Sequence, residues 1–586
     1  MEVNRIFDLL RYSKERFNKN ICLSGKKSGK WVSYSIDQYI EIVDQLSYGL
    51  MNLGIGRGDK IATISNNRPE WNFVDMAIIQ IGAIHVPLYP TLSDSELAYI
   101  INEAGIKLIY ISSNVLFNKV SALKDQMPSL KYMFCFDQVP NASNYIELRE
   151  NGEINQKKEE LEKVKSEIHP SDIATIIYTS GTTMNPKGVM LTHHNIISNY
   201  TSVAPTFVMN ETFVGLSYLP LCHVYERMLN YMYQYIGISI YYAESVASIV
   251  DNLREVKPDV LTTVPLLLEK IHGSIIAKGA QLTSIKKAIF KWSVDLAEKY
   301  RIDGNNSGWY KIKQRVADIL VYKKWREALG NKITRIICGG AALQPQLLKV
   351  FWAAGLPVYE GYGLTETSPV ISNNNLLAYK LGTVGKILDG VEVEIAHDGE
   401  VLCKGPNVMK GYYNNPDLTA ESIDKDGWFH TGDIGVIENK IFLKITGRKK
   451  TMFKTSSGMY ISPENIESKI KQSPFISQIM IVGANQNYLS ALIVPDFNSL
   501  CNWCKQNNIE CTSPDEIAKN KQVSEKFFSI LDNYNKTAID TEQILKFKLL
   551  NKEWSIESGE LTPKMNMKRN FIYDRYKIII EEFYSG

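Results

Sequence analysis

The chain has 586 residues, with 66 Lys plus Arg against 63 Asp plus Glu and a formal charge of +3. So small an imbalance argues against nucleic-acid binding driven by bulk charge. At 45% hydrophobic and 22% charged, with 37 Gly and 21 Pro, the composition is that of a folded globular protein rather than a disordered one, and the length implies two or more domains.

The opening residues, MEVNRIFDLLRYSKERF, carry charges every few positions and lack the apolar stretch of a secretory signal. An amphipathic helix is predicted over 35–53, ending at Gly54. Strands are predicted at 60–64, 108–111, 173–178 and 335–338, separated by helix-like stretches, which argues for βαβ units and helix-covered sheets. The longest uncharged apolar run, 76–88, contains Gln80, His85 and Pro87. It is too short to cross about 30 Å of hydrocarbon.

Between 281 and 330 the pattern turns helical and basic. Residues 286–328 hold eleven Lys or Arg and five Asp or Glu, interleaved with Trp292, Trp309, Tyr310, Tyr322 and Trp325. A solvated helical face and peripheral contact with an anionic membrane surface both fit this insertion. Near Gly447 the stretch GRKKTMFKTSSGMY packs four cations together, followed by apolar runs at 479–482 and 491–495. It reads as a hinge leading into a smaller α/β domain. The expected fold class is therefore α/β, with a large multi-subdomain N-terminal body over 1–449 and a small mobile C-terminal domain over 450–586. Eight scattered cysteines suit a reducing, cytoplasmic compartment. Cys501, Cys504 and Cys511 lack a clear fourth partner for zinc.

The strongest local signal is YTSGTTMNPKG at 178–188, directly after a predicted strand. Hydroxyls of Thr179, Ser180, Thr182 and Thr183, amides freed by Gly181 and Gly188, and the Lys187 cation would surround a polyphosphate. A Walker A loop requires Lys followed by Ser or Thr; here Gly188 follows Lys187, so that reading fails.

This segment resembles the phosphate loop of the adenylate-forming family, which includes acyl- and aryl-CoA synthetases, nonribosomal adenylation domains and firefly-type luciferases. Further matches follow in family order: LPLCHVYER (219–227), GGA (339–341), YEGYGLTET (359–367), WFHTGD (428–433), ITGR (445–448) and ELTP (560–563). LPLCHVYER, the helical insertion, GANQNYLSALIVP (483–495) and ELTP look like the long-chain fatty acyl-CoA synthetase branch. The resemblance implies ATP-dependent activation of a fatty acid to acyl-AMP and transfer to CoA, with Mg²⁺ held by Thr179 and Glu366. It places ATP on Thr179, Ser180, Gly181, Thr182, Thr183 and Lys187, on Gly339, Gly340 and Ala341, on Gly361, Tyr362, Gly363 and Thr365, and on Asp433 and Arg448. His223 would border the acyl carboxylate, and the C-terminal domain would turn about Lys450. The residues 228–236 supply Met228, Leu229, Tyr231, Met232, Tyr233, Tyr235 and Ile236 for an acyl channel or, equally, for a packed core.

The sequence departs from the family in two places. Met184 replaces a glycine of the phosphate loop, and Asn566 stands where relatives carry an adenylation lysine. If 563–569 runs extended, Lys564 and Lys568 share the side of Asn566 and either takes over its role. An acyl-AMP ligase that loads a carrier protein, and an ATP- and lipid-binding protein with weak catalysis, stay open as alternatives.

Overall fold

The computed structural model describes residues 2–179, 185–245, 247–456, 458–509, 513–562 and 565–585. The chain divides into two compact units: 1–394 with 402–431 and 437–444, and 395–401 with 432–436 and 445–586.

In the first unit, Ser35 caps the helix Ile36–Asn52 by accepting from Gln38 N–H, while the Gln38 side chain returns the bond to Ser35 N–H. That reciprocal box fixes the start of the predicted helix, and Gly54 at φ +75° follows its end. The strands Lys60–Ile64, Leu108–Ile111 and Arg335–Cys338 form where alternation predicts them, and the fourth runs one residue further, as Ile173–Thr179. The apolar run 76–88 resolves into the end of the wholly buried helix Pro69–Gln80 and the buried strand Ile84–Leu88. No helix among the described residues is long and apolar enough to cross a membrane.

Two sheets organise this unit. The eight-stranded sheet runs Gly411–Tyr412, Lys187–Thr192, Ile173–Thr179, Ile84–Leu88, Lys60–Ile64, Leu108–Ile111, Tyr132–Cys135, Ser143–Asn144. Its inner strands are parallel and buried on both faces, while Lys187–Thr192 and Gly411–Tyr412 add an antiparallel edge. In the second sheet the parallel strands Ser239–Tyr242, Val214–Ser217, Val260–Thr263, Arg335–Cys338 and Val358–Gly363 lie side by side. Their carboxyl ends face one way, where ligands of open α/β sheets bind.

The 281–330 insertion is helical, as Ser284–Ala297, Gly308–Ala317, a π-helical turn Asp318–Tyr322 and Lys323–Ala328. In the second unit, Ile476–Val482, Leu489–Pro495 and Ile544–Leu549 form a three-stranded sheet. Ile479, Ile481, Ala491 and Ile493 face one core; Met480, Val482, Leu492 and Val494 face another. This period of two means helices cover both faces. Cys501 and Cys504 lie on the helix Phe497–Gln506, with Cys504 packed into the first of these cores. Cys511 lies outside the described residues.

Candidate active site

The phosphate-loop motif is a hairpin. Ile173–Thr179 pairs antiparallel with Lys187–Thr192, setting Thr179 opposite Lys187 and Tyr178 opposite Gly188. Ser180, Gly181, Thr182, Thr183 and Met184 lie outside the described residues. Gly188 has a role other than freeing an amide for phosphate. A Cβ there would sit 2.8 Å from Ile176 Cγ2 and 3.1 Å from the Tyr178 ring, and its carbonyl accepts from Tyr413 N–H at 2.7 Å. It is glycine because the hairpin packs tightly at its base.

The Gly411–Tyr412 strand on this edge brings in Tyr412, which lies outside every motif of the sequence. The Tyr412 ring lies 5.8 Å from the Lys187 ammonium, and its hydroxyl donates to Glu366 Oε1 at 2.9 Å. Burial, then the nearby Glu366 carboxylate, raises the Tyr412 phenol above its ordinary value, so it stays a proton donor. The Glu366 carbonyl accepts from Met409 N–H at 2.8 Å, which ties its turn to the segment leading into that strand. Lys187 and Glu366 are thus bridged by one aromatic side chain.

Glu366 is presented by a 3₁₀ turn, Thr365–Thr367, after the strand Val358–Gly363. Leu364 N–H donates to Thr367 Oγ1 at 3.0 Å, and Thr367 Oγ1 donates to Pro369 O at 2.6 Å. A Cβ at Gly363 would meet Pro369 O at 1.7 Å, so no other residue fits this crossing. At Gly361 the nearest atom would be 3.6 Å away, an ordinary contact. Thr365 is buried and Tyr362 half-buried. Cys338 pairs with Glu360, which sets the 339–341 turn beside the Gly361–Tyr362 step.

His223 caps the helix Val224–Ile236: its Nδ1 accepts from Tyr225 N–H at 3.1 Å. With Nδ1 accepting, Nε2 is the ring nitrogen that carries a proton. Tyr225 donates to Ile337 O at 3.2 Å, and its ring lies 3.0 Å from where a Gly339 Cβ would be. Gly339 N–H donates to Thr263 O, while Gly340, at φ +87°, and Ala341 are exposed. The same helix buries Met228, Leu229, Tyr231, Met232 and Tyr233 in the main core, with Tyr235 and Ile236 packed against it.

Beneath the phosphate hairpin lies a buried ionic network, legible in the sequence only as the last letter of LPLCHVYER. Arg227 donates to Thr175 Oγ1 at 2.6 Å, to Tyr231 Oη at 2.8 Å and to Asp75 Oδ1 at 2.5 Å. Asp75 also accepts from His85 Nδ1 at 2.6 Å and from the Tyr231 hydroxyl at 2.5 Å. Burial alone would raise the Asp75 carboxyl, but Arg227, His85 and Tyr231 outweigh it and hold the group below its ordinary value. Burial lowers His85 to about 4 despite Asp75, so its ring is neutral. Thr175 lies in the strand that ends at Thr179, so this network fixes the hairpin to the helix that His223 caps.

In the second unit, Arg448 Nε donates to Asp433 Oδ1 at 2.8 Å. Asp433 is buried and the Arg448 side chain is half-exposed. Lys449, half-exposed, pairs with Asp398 at 2.6 Å and Glu400 at 2.9 Å. The condition that 563–569 runs extended is not met at Met565, the first described residue after Thr562. Met565 sits at φ +64°, its N–H donates to Thr562 O, Thr562 N–H donates to Asn566 O at 2.8 Å, and Leu561 bridges Met567. Met565 is outside the extended region, so a regular period of two does not run through the described residues 565–568. Lys568 N–H donates to Glu560 O at 2.7 Å at the start of the helix Arg569–Arg575, and Arg569 pairs with Glu467. Lys564 lies outside the described residues.

Residues 10–413 match the family described as AMP-binding enzyme, and residues 451–586 match the AMP-binding enzyme C-terminal domain. The chain belongs to the AMP-binding enzyme family. A long-chain-fatty-acid–CoA ligase of Mycobacterium bovis is 30% identical over 95% of this chain and 93% of its own length. Long-chain-fatty-acid–CoA ligase 1 of Cavia porcellus is 31% identical over 100% of this chain and 87% of its own. The crystal structure of an anthranilate CoA ligase in complex with anthranoyl-AMP shares the fold, with a TM-score of 0.73 over 98% of both chains at 15% identity. The AMP-binding match takes in Tyr412 and all the first-unit residues described above, and the C-terminal match begins one residue after Lys450.

Proposed function

We propose that this AMP-binding enzyme is a long-chain fatty acid–CoA ligase that uses ATP to form acyl-AMP and then acyl-CoA, releasing pyrophosphate and AMP. The observation that carries this reading is the Lys187–Tyr412–Glu366 bridge at the mouth of the phosphate hairpin. It occurs in a chain whose relatives, aligned over most of their own length, are named long-chain-fatty-acid–CoA ligases.

Activating a carboxylate is hard because hydroxide leaves poorly and because the nucleophile and the polyphosphate are both anionic. A site must cancel charge and hold the reactants in line. In this reading Lys187 and the loop hydroxyls hold the outer phosphates, and Thr365 approaches the innermost one. The Nε2–H of His223 donates toward the acyl carboxylate, orienting its oxygen at that phosphorus. The adenine lies against Tyr362 and the turn at Gly339, Gly340 and Ala341, Gly361 and Gly363 shape that strand end, and Asp433 accepts from the ribose hydroxyls beside Arg448. Glu366 and Thr179 offer the hard carboxylate and hydroxyl oxygens that suit Mg²⁺, with the Tyr412 donor fixing the carboxylate. Bound there, the ion would neutralise charge that grows on the leaving pyrophosphate.

Rotation of the C-terminal domain about Lys450 then admits the CoA thiol, whose sulfur attacks the acyl carbon as AMP leaves. Lys564 or Lys568 supplies the cation missing at Asn566. The protein works in the cytoplasm, with its basic helical insertion at the inner membrane face. The test is a substrate panel from acetate to oleate scored for AMP release with and without CoA. Oleate-dependent, CoA-stimulated release supports the reading; release that follows a carrier protein's pantetheine but not CoA replaces it. Lys187→Ala and Glu366→Gln should each lower fatty-acid-dependent pyrophosphate exchange by about a hundredfold or more.

A further inference from the structure

The insertion is helical on its inside for a plain reason. Ala317, Val321, Tyr322 and Trp325 pack with Leu296, Ala297 and Val350 into a core of their own. Tyr310 donates to Leu296 O at 2.8 Å, Tyr322 donates to Ser293 O at 2.6 Å, and Gln314 donates to Ala353 O at 2.9 Å. These contacts fix which way the helix faces. Its outer side should then be polar, and it is not. Trp309 is 67% exposed, Ile312 53%, Val316 45% and Ile319 71%. Their spacing of three, four and three residues is one face of a helix. A core-facing stripe and an outward-facing stripe on one helix cannot both be explained by folding.

The cations sort with that outer stripe. Residues 286–328 carry a net +6 on a chain whose total is +3. Asp303 and Asp318 are already paired with Arg301 and Arg326. Lys311, Arg315, Lys323 and Lys324 are exposed, and the Lys313 ammonium lies 5.4 Å from the Trp309 ring centroid. On the adjoining helix Ser284–Ala297, Ile285 is 75% exposed next to exposed Lys286 and Lys287. An aqueous surface gains nothing from the apolar stripe, and a protein partner would not need so large an excess of cations. A sheet of anionic headgroups over an apolar interior uses both.

We propose that the outer face of the helix Gly308–Ala317 and the turn after it, centred on Trp309, Ile312, Val316 and Ile319, docks on an anionic lipid surface. The side chains enter the headgroup boundary, and the flanking lysines meet lipid phosphates. This assignment makes explicit the membrane contact in the reading above but does not depend on the ligase chemistry.

The experiment is co-sedimentation of the full chain with fatty-acid-free vesicles of phosphatidylcholine, with and without phosphatidylglycerol. Wild type should bind the anionic vesicles about tenfold more tightly or better, and added salt should weaken that binding. Trp309→Ser with Ile319→Ser should reduce it by about tenfold, and Lys311→Glu with Lys313→Glu should abolish the preference for anionic lipid. Melting temperature and turnover of octanoate, a soluble substrate, should be unchanged in both. Equal sedimentation of wild type and both double variants would overturn the proposal. So would a wild-type dimer by light scattering that the Ser variant converts to monomer without any vesicle binding, since that assigns the face to a second copy of the chain.

Discussion

Replacing Arg227 with Met tests whether the phosphate hairpin stands on a buried ion pair. The guanidinium is 1% exposed and Asp75 is fully buried. Three donors from one side chain end on Thr175, Tyr231 and Asp75. Methionine keeps apolar volume under Trp71, whose ring centroid lies 5.4 Å from the guanidinium carbon, but leaves the carboxylate with only His85 and Tyr231. Removing one partner of a buried pair costs about 3–5 kcal/mol, because the remaining charge stays desolvated. Asp75→Asn added to Arg227→Met removes that orphan charge and should recover about 2 kcal/mol or more, measured as a coupling energy in a double-mutant cycle.

The assay is urea unfolding followed by tryptophan fluorescence, analysed for the transition that reports the first unit. A pH comparison sharpens it. Burial holds His85 at about 4, with Arg227 adding to that effect; without Arg227 the imidazole can take a proton and face Asp75 as its cation. The penalty of Arg227→Met should therefore shrink between about pH 8 and about pH 5. An Arg227→Met cost under about 1 kcal/mol, or a double variant that loses the sum of the single losses, would refute the ion-pair account.

Burial raises the Glu226 carboxyl to about 7, so the folded chain holds a proton that the unfolded chain releases at lower pH. The stability this lends is present in acid and is lost as pH rises through about 7; Glu226→Gln should melt progressively higher than wild type as pH goes from about 5 to about 8. The comparison must be variant against wild type, because the low values of buried His85 and His193, each about 4, give the opposite slope in acid. Gly363→Ala, whose Cβ would meet Pro369 O at 1.7 Å, should abolish exchange and lower the melting temperature. Gly361→Ala, with its nearest contact at 3.6 Å, should leave melting unchanged and raise the KM for ATP. Lys450→Pro should slow CoA-dependent AMP release by about tenfold while sparing pyrophosphate exchange, and equal loss of both would contradict a hinge there.

What could be read from the letters was local. Apolar alternation placed the strands at 60–64, 108–111 and 335–338, and amphipathic periodicity over 35–53 closed by Gly54 announced a helix, because each pattern is enforced by neighbours a few residues apart. The fold class and family follow from many such local matches in order. Partnerships made across the chain left no such trace. Arg227 and Asp75 are 152 positions apart, and Tyr412 reaches Glu366 across 46; nothing near any of them says whom it meets. The condition placed on 563–569 fails for a different reason: a single residue, Met565 at φ +64°, breaks an extended period, and non-glycine residues give little warning of that conformation.

The glycines show where motif reasoning attributes too much to the ligand. Gly188 and Gly363 stand inside nucleotide signatures, and a purely chemical reading assigns them to backbone approach by phosphate or adenine. Their missing Cβ atoms are demanded by the protein itself, at 2.8 Å from Ile176 and 1.7 Å from Pro369. Gly361, by contrast, has room for a methyl group and is left with a ligand-side explanation. A signature of this kind therefore mixes two constraints. Some positions are fixed because the hairpin and the Glu366 turn must pack closely enough for Tyr412 to span from Lys187 to Glu366, and others because a nucleotide must reach the backbone beside them. Alanine at each glycine separates the two, since the first class loses stability and the second loses only affinity.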